Sequence, residues 1–146
     1  MNALELTAKR LKEFGTWLLS SPQEFLTLSG IAEGTRRIFD LEYCSLHVCA
    51  DGKWHHFSGS SIGKLSKYVS DSLRKTHDHR ASVLELAEEQ TLGVRYSTIR
   101  DTEGSIAVLA VRSNYLSMEA IDTIASMIGM VLLDILRDRT ERPVSL

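Results

Sequence analysis

Cys44 and Cys49, five histidines and the stretch Gly59-Ser60-Ser61-Ile62-Gly63-Lys64 are the parts of this sequence whose residue types suit chemistry. The two cysteines lie five residues apart on one predicted strand. At ~3.3 Å per residue they sit roughly 16 Å apart on opposite faces, too far to bridge each other. Among the histidines (His47, His55, His56, His77 and His79), His77 and His79 have a chelating spacing. Yet no Cys-x-x-Cys, no His-Glu-x-x-His and no carboxylate set in a defined geometry accompanies them, so no metal is expected. Gly59 to Lys64 follows a strand and opens a helix, as a phosphate loop does. Its glycine spacing is one residue short, however, and Leu65 stands where a hydroxyl would hold Mg²⁺. Ser60 or Ser61 reads better as a helix cap, with amides that suit an anion. No nucleophile, base and orienting group fall together. The expectation is a protein that is not an enzyme and has no identifiable cofactor.

The chain of 146 residues is 43% hydrophobic and 25% charged, which fits one globular domain. Seventeen Lys+Arg against nineteen Asp+Glu leave a formal charge of −2. Without a net basic surface no nucleic-acid partner is expected. Met1 to Glu5 lacks the basic start of a signal peptide. The apolar run Met127 to Leu133 is far below the ~20 residues that span a bilayer. These features predict a cytoplasmic domain without membrane contact.

The elements follow from periodicity. Leu4, Leu11 and Leu18 recur at heptad spacing on a first helix, residues 1–19, and make a candidate dimer seam. Ser21-Pro22-Gln23-Glu24 reads as a capping box opening a second helix through Phe39. On that helix Gly30 and Gly34 share a face, which suggests a close crossing with Ala125 and Gly129 of the last helix. Tyr43–Ala50 and Lys53–Ser58, joined by Asp51-Gly52, predict a hairpin. Along its first strand Cys44, Leu46 and Val48 share one face, and Tyr43, Ser45, His47 and Cys49 the other. A third helix is predicted over Ile62 to Arg74. Ser82 to Ala87 reads as a strand by its alternation, although Ala, Leu and Glu there also favour helix. Gly93 to Arg100 and Ser105 to Arg112 are strands, the second apolar on both faces and so central in a covered sheet. Ser117 caps a last helix to about Glu141, whose apolar positions cover more than one stripe. Ile128, Leu132 and Ile135 are assigned there to a partner helix.

The segment Gly93 to Arg139 resembles a GAF domain, the sensory module of histidine kinases, phosphodiesterases and bacterial transcription activators. The likeness rests on the strand Gly93-Val94-Arg95-Tyr96-Ser97-Thr98-Ile99-Arg100, the polar turn Asp101-Thr102-Glu103-Gly104, the apolar strand Ser105 to Val111 and the helix from Ser117. Tyr43 to Ala50 is similar to the family's first strand and Phe25 to Phe39 to its leading helix. Thr98-Ile99 stand where many members have a proline. The resemblance covers about residues 20–141, with 142–146 as a tail. It implies an α+β fold: a central, mainly antiparallel sheet of about five to six strands, with the N- and C-terminal helices packed on one face.

By the same resemblance a small ligand would sit between the sheet and its covering loops, and Ser45, His47, Arg95 and Ser97 are the candidate ligand-binding residues. The expected function is non-catalytic: a sensory or regulatory domain of a bacterial signalling protein. It would bind a small molecule or serve as a homodimerisation module, and signal to an output domain through its terminal helices. The Asn-Lys-Phe-Asp-Glu set of cyclic-nucleotide-binding members is absent. No cysteine follows Cys49, against both the free methionine sulfoxide reductase and a covalently held bilin. A roadblock- or longin-like interaction domain, binding a small GTPase or scaffold, is the alternative.

Overall fold

A computed structural model describes residues 2–22, 26–50, 53–58, 69, 93–100 and 106–141. Its elements are α1 (Ala3–Ser20), α2 (Leu28–Ile38), β1 (Tyr43–Ala50), β2 (Lys53–Ser58), β3 (Arg95–Arg100), β4 (Ile106–Arg112) and α3 (Met118–Glu141).

Each helix is closed by residues suited to its ends. Asn2 caps α1, its side chain accepting from the Glu5 amide at 2.8 Å. Ser21 does not open the second helix as the capping-box reading expects. Its hydroxyl instead donates to the Trp17 carbonyl at 2.6 Å and ends α1. The cap of α2 is Thr27, whose Oγ1 accepts from the Gly30 amide at 3.0 Å; residues 23–25 lie outside the described residues. At the other end of α2, Asp40 adopts φ +50°, and the amides of Asp40 and Leu41 donate to the Arg37 and Arg36 carbonyls. That is a Schellman closure with aspartate in the left-handed position usually held by glycine. Ser117 caps α3 as expected, its hydroxyl accepting from the Ala120 amide at 3.2 Å.

The strands form one antiparallel sheet in the order β2-β1-β4-β3. This corrects the expected five to six strands: among the described residues the sheet has four, and the class remains α+β. The larger number rested on Ser82 to Ala87, where the period-two and helical signals conflict. That segment, the helix predicted over Ile62 to Arg74 (except Val69, which is helical and buried) and the turns Asp51-Gly52 and Asp101 to Gly104 lie outside the described residues. β4 is central and buried on both faces from Ala107 to Val111, as an all-apolar strand must be.

The pleat sorts side chains into two cores. Cys44, Leu46 and Val48 of β1 and Ala107, Leu109 and Val111 of β4 join Leu28, Ile31, Ile121, Ile124 and Ile128 in the larger one. α2 covers β1 and β2, and α3 covers β3 and β4. α1 packs on these two helices, contributing Phe14 and Leu18. On the opposite face Tyr43, Val94, Tyr96, Val108 and Ala110 cluster with Val69.

The expected crossing of small faces does not form. A Cβ on Gly34 would collide with the Trp17 indole of α1, and one on Gly129 would lie 2.9 Å from Ile99 of β3. Each glycine admits a bulky side chain from a different neighbour, because spacing along a helix fixes a shared face but not its partner.

Candidate functional site

The four candidate ligand residues do not share a face. Ser45 and His47 lie on the side of the sheet away from the helices, 0% and 1% exposed. Register puts Arg95 opposite Val111 and Ser97 opposite Leu109, on the helix side. There the Arg95 guanidinium donates to the Leu116 carbonyl at 3.2 Å, and Ser97 Oγ donates to Asp122 Oδ1 at 2.7 Å. Both bonds fasten β3 to the start of α3. Arg95 and Ser97 are therefore helix anchors, and the grouping of all four around one pocket is corrected.

Ser45 and His47 do meet. Tyr43 donates its hydroxyl to Ser45 Oγ at 2.7 Å, and Ser45 Oγ lies 2.7 Å from His47 Nε2. Three alternate residues of one strand thus form a hydrogen-bonded chain, all of them at most 1% exposed. It borders the apolar group of Val94, Tyr96, Val108 and Ala110. Buried polar groups of this kind are retained only when satisfied, since an orphaned one costs ~1–3 kcal/mol. Tyr43, which the sequence places on this face without a role, is the first link. Tyr96 enters the same cluster from β3.

The candidate seam divides. Leu4 is 82% exposed, whereas Leu18, Ile128 and Leu132 are at most 5% exposed within the chain's own core, and Leu11 packs against that core. Those buried side chains are unavailable to a partner helix; Ile135 lies outside the described side chains. Their heptad spacing reports the packing of α1 and α3 within one chain.

Cys44 is fully buried, and burial pushes its thiol up from the ordinary value of 9.0 to about 12, outweighing the nearby Arg36 cation. A thiol held protonated is a poor nucleophile. Because the folded value is raised, its contribution to stability is complete below about pH 9 and is lost as pH rises towards 12. Relative to Cys44→Ala, the wild-type chain is expected to lose about 1.4 kcal/mol between roughly pH 8 and pH 10. Urea unfolding of both proteins at the two pH values checks this; parallel curves exclude it. The side chains of Cys49, His55 and His56, and the whole of His77, His79 and Gly59 to Lys64, lie outside the described residues.

Among the described residues no three His, Cys, Asp or Glu side chains are grouped to hold a metal, and no helix is long and apolar enough to cross a membrane. A second polar cluster joins α1 to the end of the sheet where β1 begins and β4 finishes. Arg10 Nη1 donates to the Phe39 carbonyl at 3.0 Å and to the Tyr115 hydroxyl at 2.7 Å, and Tyr115 donates to the same carbonyl. Burial raises the Tyr115 phenol above its usual value, although the bond from Arg10 opposes this. Sequence spacing gave no sign of a pair 105 residues apart. No protein-family model, curated protein or solved structure matches the chain significantly.

Proposed function

We propose that the chain is a non-catalytic regulatory domain of the GAF kind, which takes a small ligand against the sheet face opposite the helices and passes its occupancy to α1 and α3. The observation that carries this reading is the buried Tyr43–Ser45–His47 chain on that face. Small-molecule sites are mainly apolar with a few fixed polar groups, and this combination is present beside Tyr96 and Val108.

β3 supplies a physical route for the signal. Val94 and Tyr96 belong to the far-face cluster, while the alternate residues Arg95, Ser97 and Ile99 meet Leu116, Asp122 and Gly129 on the α3 side. A strand that shifts to accommodate a ligand therefore pulls on the exit helix at successive turns. A ligand biases such a device only by its differential affinity for the two helix positions. The dimer-module reading is the less favoured one, because Leu18, Ile128 and Leu132 of its seam are enclosed within one chain.

Native mass spectrometry of the gently desalted protein tests the reading. The expected spectrum holds a species heavier than the chain, or than twice the chain, by the mass of one small molecule per subunit. The adduct should disappear in Ser45→Ala while the variant stays folded. A bare protein, or an adduct indifferent to Ser45, removes the ligand from this face.

A further inference from the structure

At the end of the sheet where β1 begins and β4 finishes, α1, the α2–β1 turn and the β4–α3 connector bound a cleft of about 440 Å³. This volume falls within the ~300–1,000 Å³ usual for small-molecule sites. Three segments far apart in sequence supply its polar wall: Arg10 from α1, Asp40 and Glu42 from the turn, and Asn114 and Tyr115 from the connector. Leu6 and Leu41 add apolar surface.

The charges in this wall are held in defined states. Both Nη1 protons of Arg10 are committed, to the Phe39 carbonyl and the Tyr115 hydroxyl, and the guanidinium sits 5.3 Å from the Tyr115 ring centroid. Its Nε and Nη2 donors have no partner among the described residues. Arg10 is thus oriented by the protein yet keeps donors in hand, the arrangement that suits a carboxylate. Glu42 is paired with Arg112 at 3.1 Å. Asp40 makes no ion pair or hydrogen bond through its carboxylate among the described residues, and its Schellman geometry fixes where that carboxylate starts. Apart from the Glu42–Arg112 pair, the charged groups lining the cleft are Arg10 and Asp40. A bare anion would meet the repulsion of Asp40, and a bare cation that of Arg10.

We infer that this cleft binds a small apolar zwitterion of the amino-acid kind, its carboxylate on Arg10, its ammonium on Asp40 and its side chain against Leu6 and Leu41. The site is separate from the far face of the sheet and does not depend on a ligand there.

The test uses the full chain and amide NMR titrations with L-leucine and the dipeptide leucyl-leucine, against N-acetyl-leucine and leucinamide. Saturable shifts are expected at Leu6, Arg10, residues 40–42 and residues 114–115 with at least one free-ended probe. Blocking either end of leucine should weaken binding at least about tenfold, because each end loses a charge-assisted bond. Asp40→Asn, which keeps a residue tolerant of positive φ, should bind leucine no better than N-acetyl-leucine, with an unchanged thermal midpoint. Absence of saturation at these positions up to ~10 mM for both free-ended probes overturns the inference. So do equal affinities for free and blocked leucine, or a folded Asp40→Asn that binds leucine like the wild type.

Discussion

Phe14→Ala is expected to cost about 3–5 kcal/mol and to lower the thermal midpoint by roughly 10–20 °C. Phe14 is 0% exposed. Its ring stacks on Trp17 at 5.8 Å between centroids and meets the Phe39 edge at 5.3 Å. Such pairs add ~0.5–1.5 kcal/mol to the area term. The consequence reaches beyond the stability of one side chain. α1 rests on α2 and α3, and Phe14 and Leu18 are the side chains it buries in the core. Amide exchange in α1 should therefore rise more than in β4. Leu4→Ala, at a position 82% exposed, should stay within ~0.5 kcal/mol of the wild type and serves as the control. A cost below ~1 kcal/mol for Phe14→Ala would mean that α1 is not seated on the core, and the proposed passage of a signal through it would fall with that.

What was legible in the sequence followed from local rules. β1 and β2 stand at their expected limits because alternation and an Asp-Gly turn are short-range signals. β4 announced its central place by being apolar on both faces, and Ser117 its cap by position. The failures concern phase and partner. Ser21 and Thr27 are both competent caps, and α1 continues past Gly15 to Ser20, which leaves Ser21 to close it. Continuation is tolerated because the open side of Gly15 is filled by Met127 of α3, a contact no helix propensity can foresee. Arg95 and Ser97 are polar, and polarity suggested the face of Ser45. Register with Val111 and Leu109 set them on the other side, where the Leu116 carbonyl and the Asp122 carboxylate satisfy them. The same limit hid the Arg10–Tyr115 link, for periodicity cannot relate residues on the first helix and the last connector.

Ser45→Ala is expected to cost about 2–4 kcal/mol, more than its one missing oxygen suggests. Ser45 is the middle link, so its removal ends two bonds at once, one from the Tyr43 hydroxyl and one with His47 Nε2. Tyr43→Phe removes the hydroxyl that donates to Ser45 and leaves Ser45 engaged with His47, for a cost of about 1 kcal/mol. The double variant should therefore be less destabilised than the sum of the singles. Once Ser45 is gone, the Tyr43 hydroxyl has lost the bond that Phe would have deleted. Urea unfolding at constant m-value measures all three, and the coupling energy expected for groups in one network is ~0.5–3 kcal/mol. Additive costs would show that the two bonds act separately and that the chain is not a unit. A coupled chain whose disruption also strips a retained small molecule would tie the stability of this face to ligand binding. A coupled chain that never carried one would make the three residues a satisfied polar seam in the core, and the proposed ligand face would have to be given up.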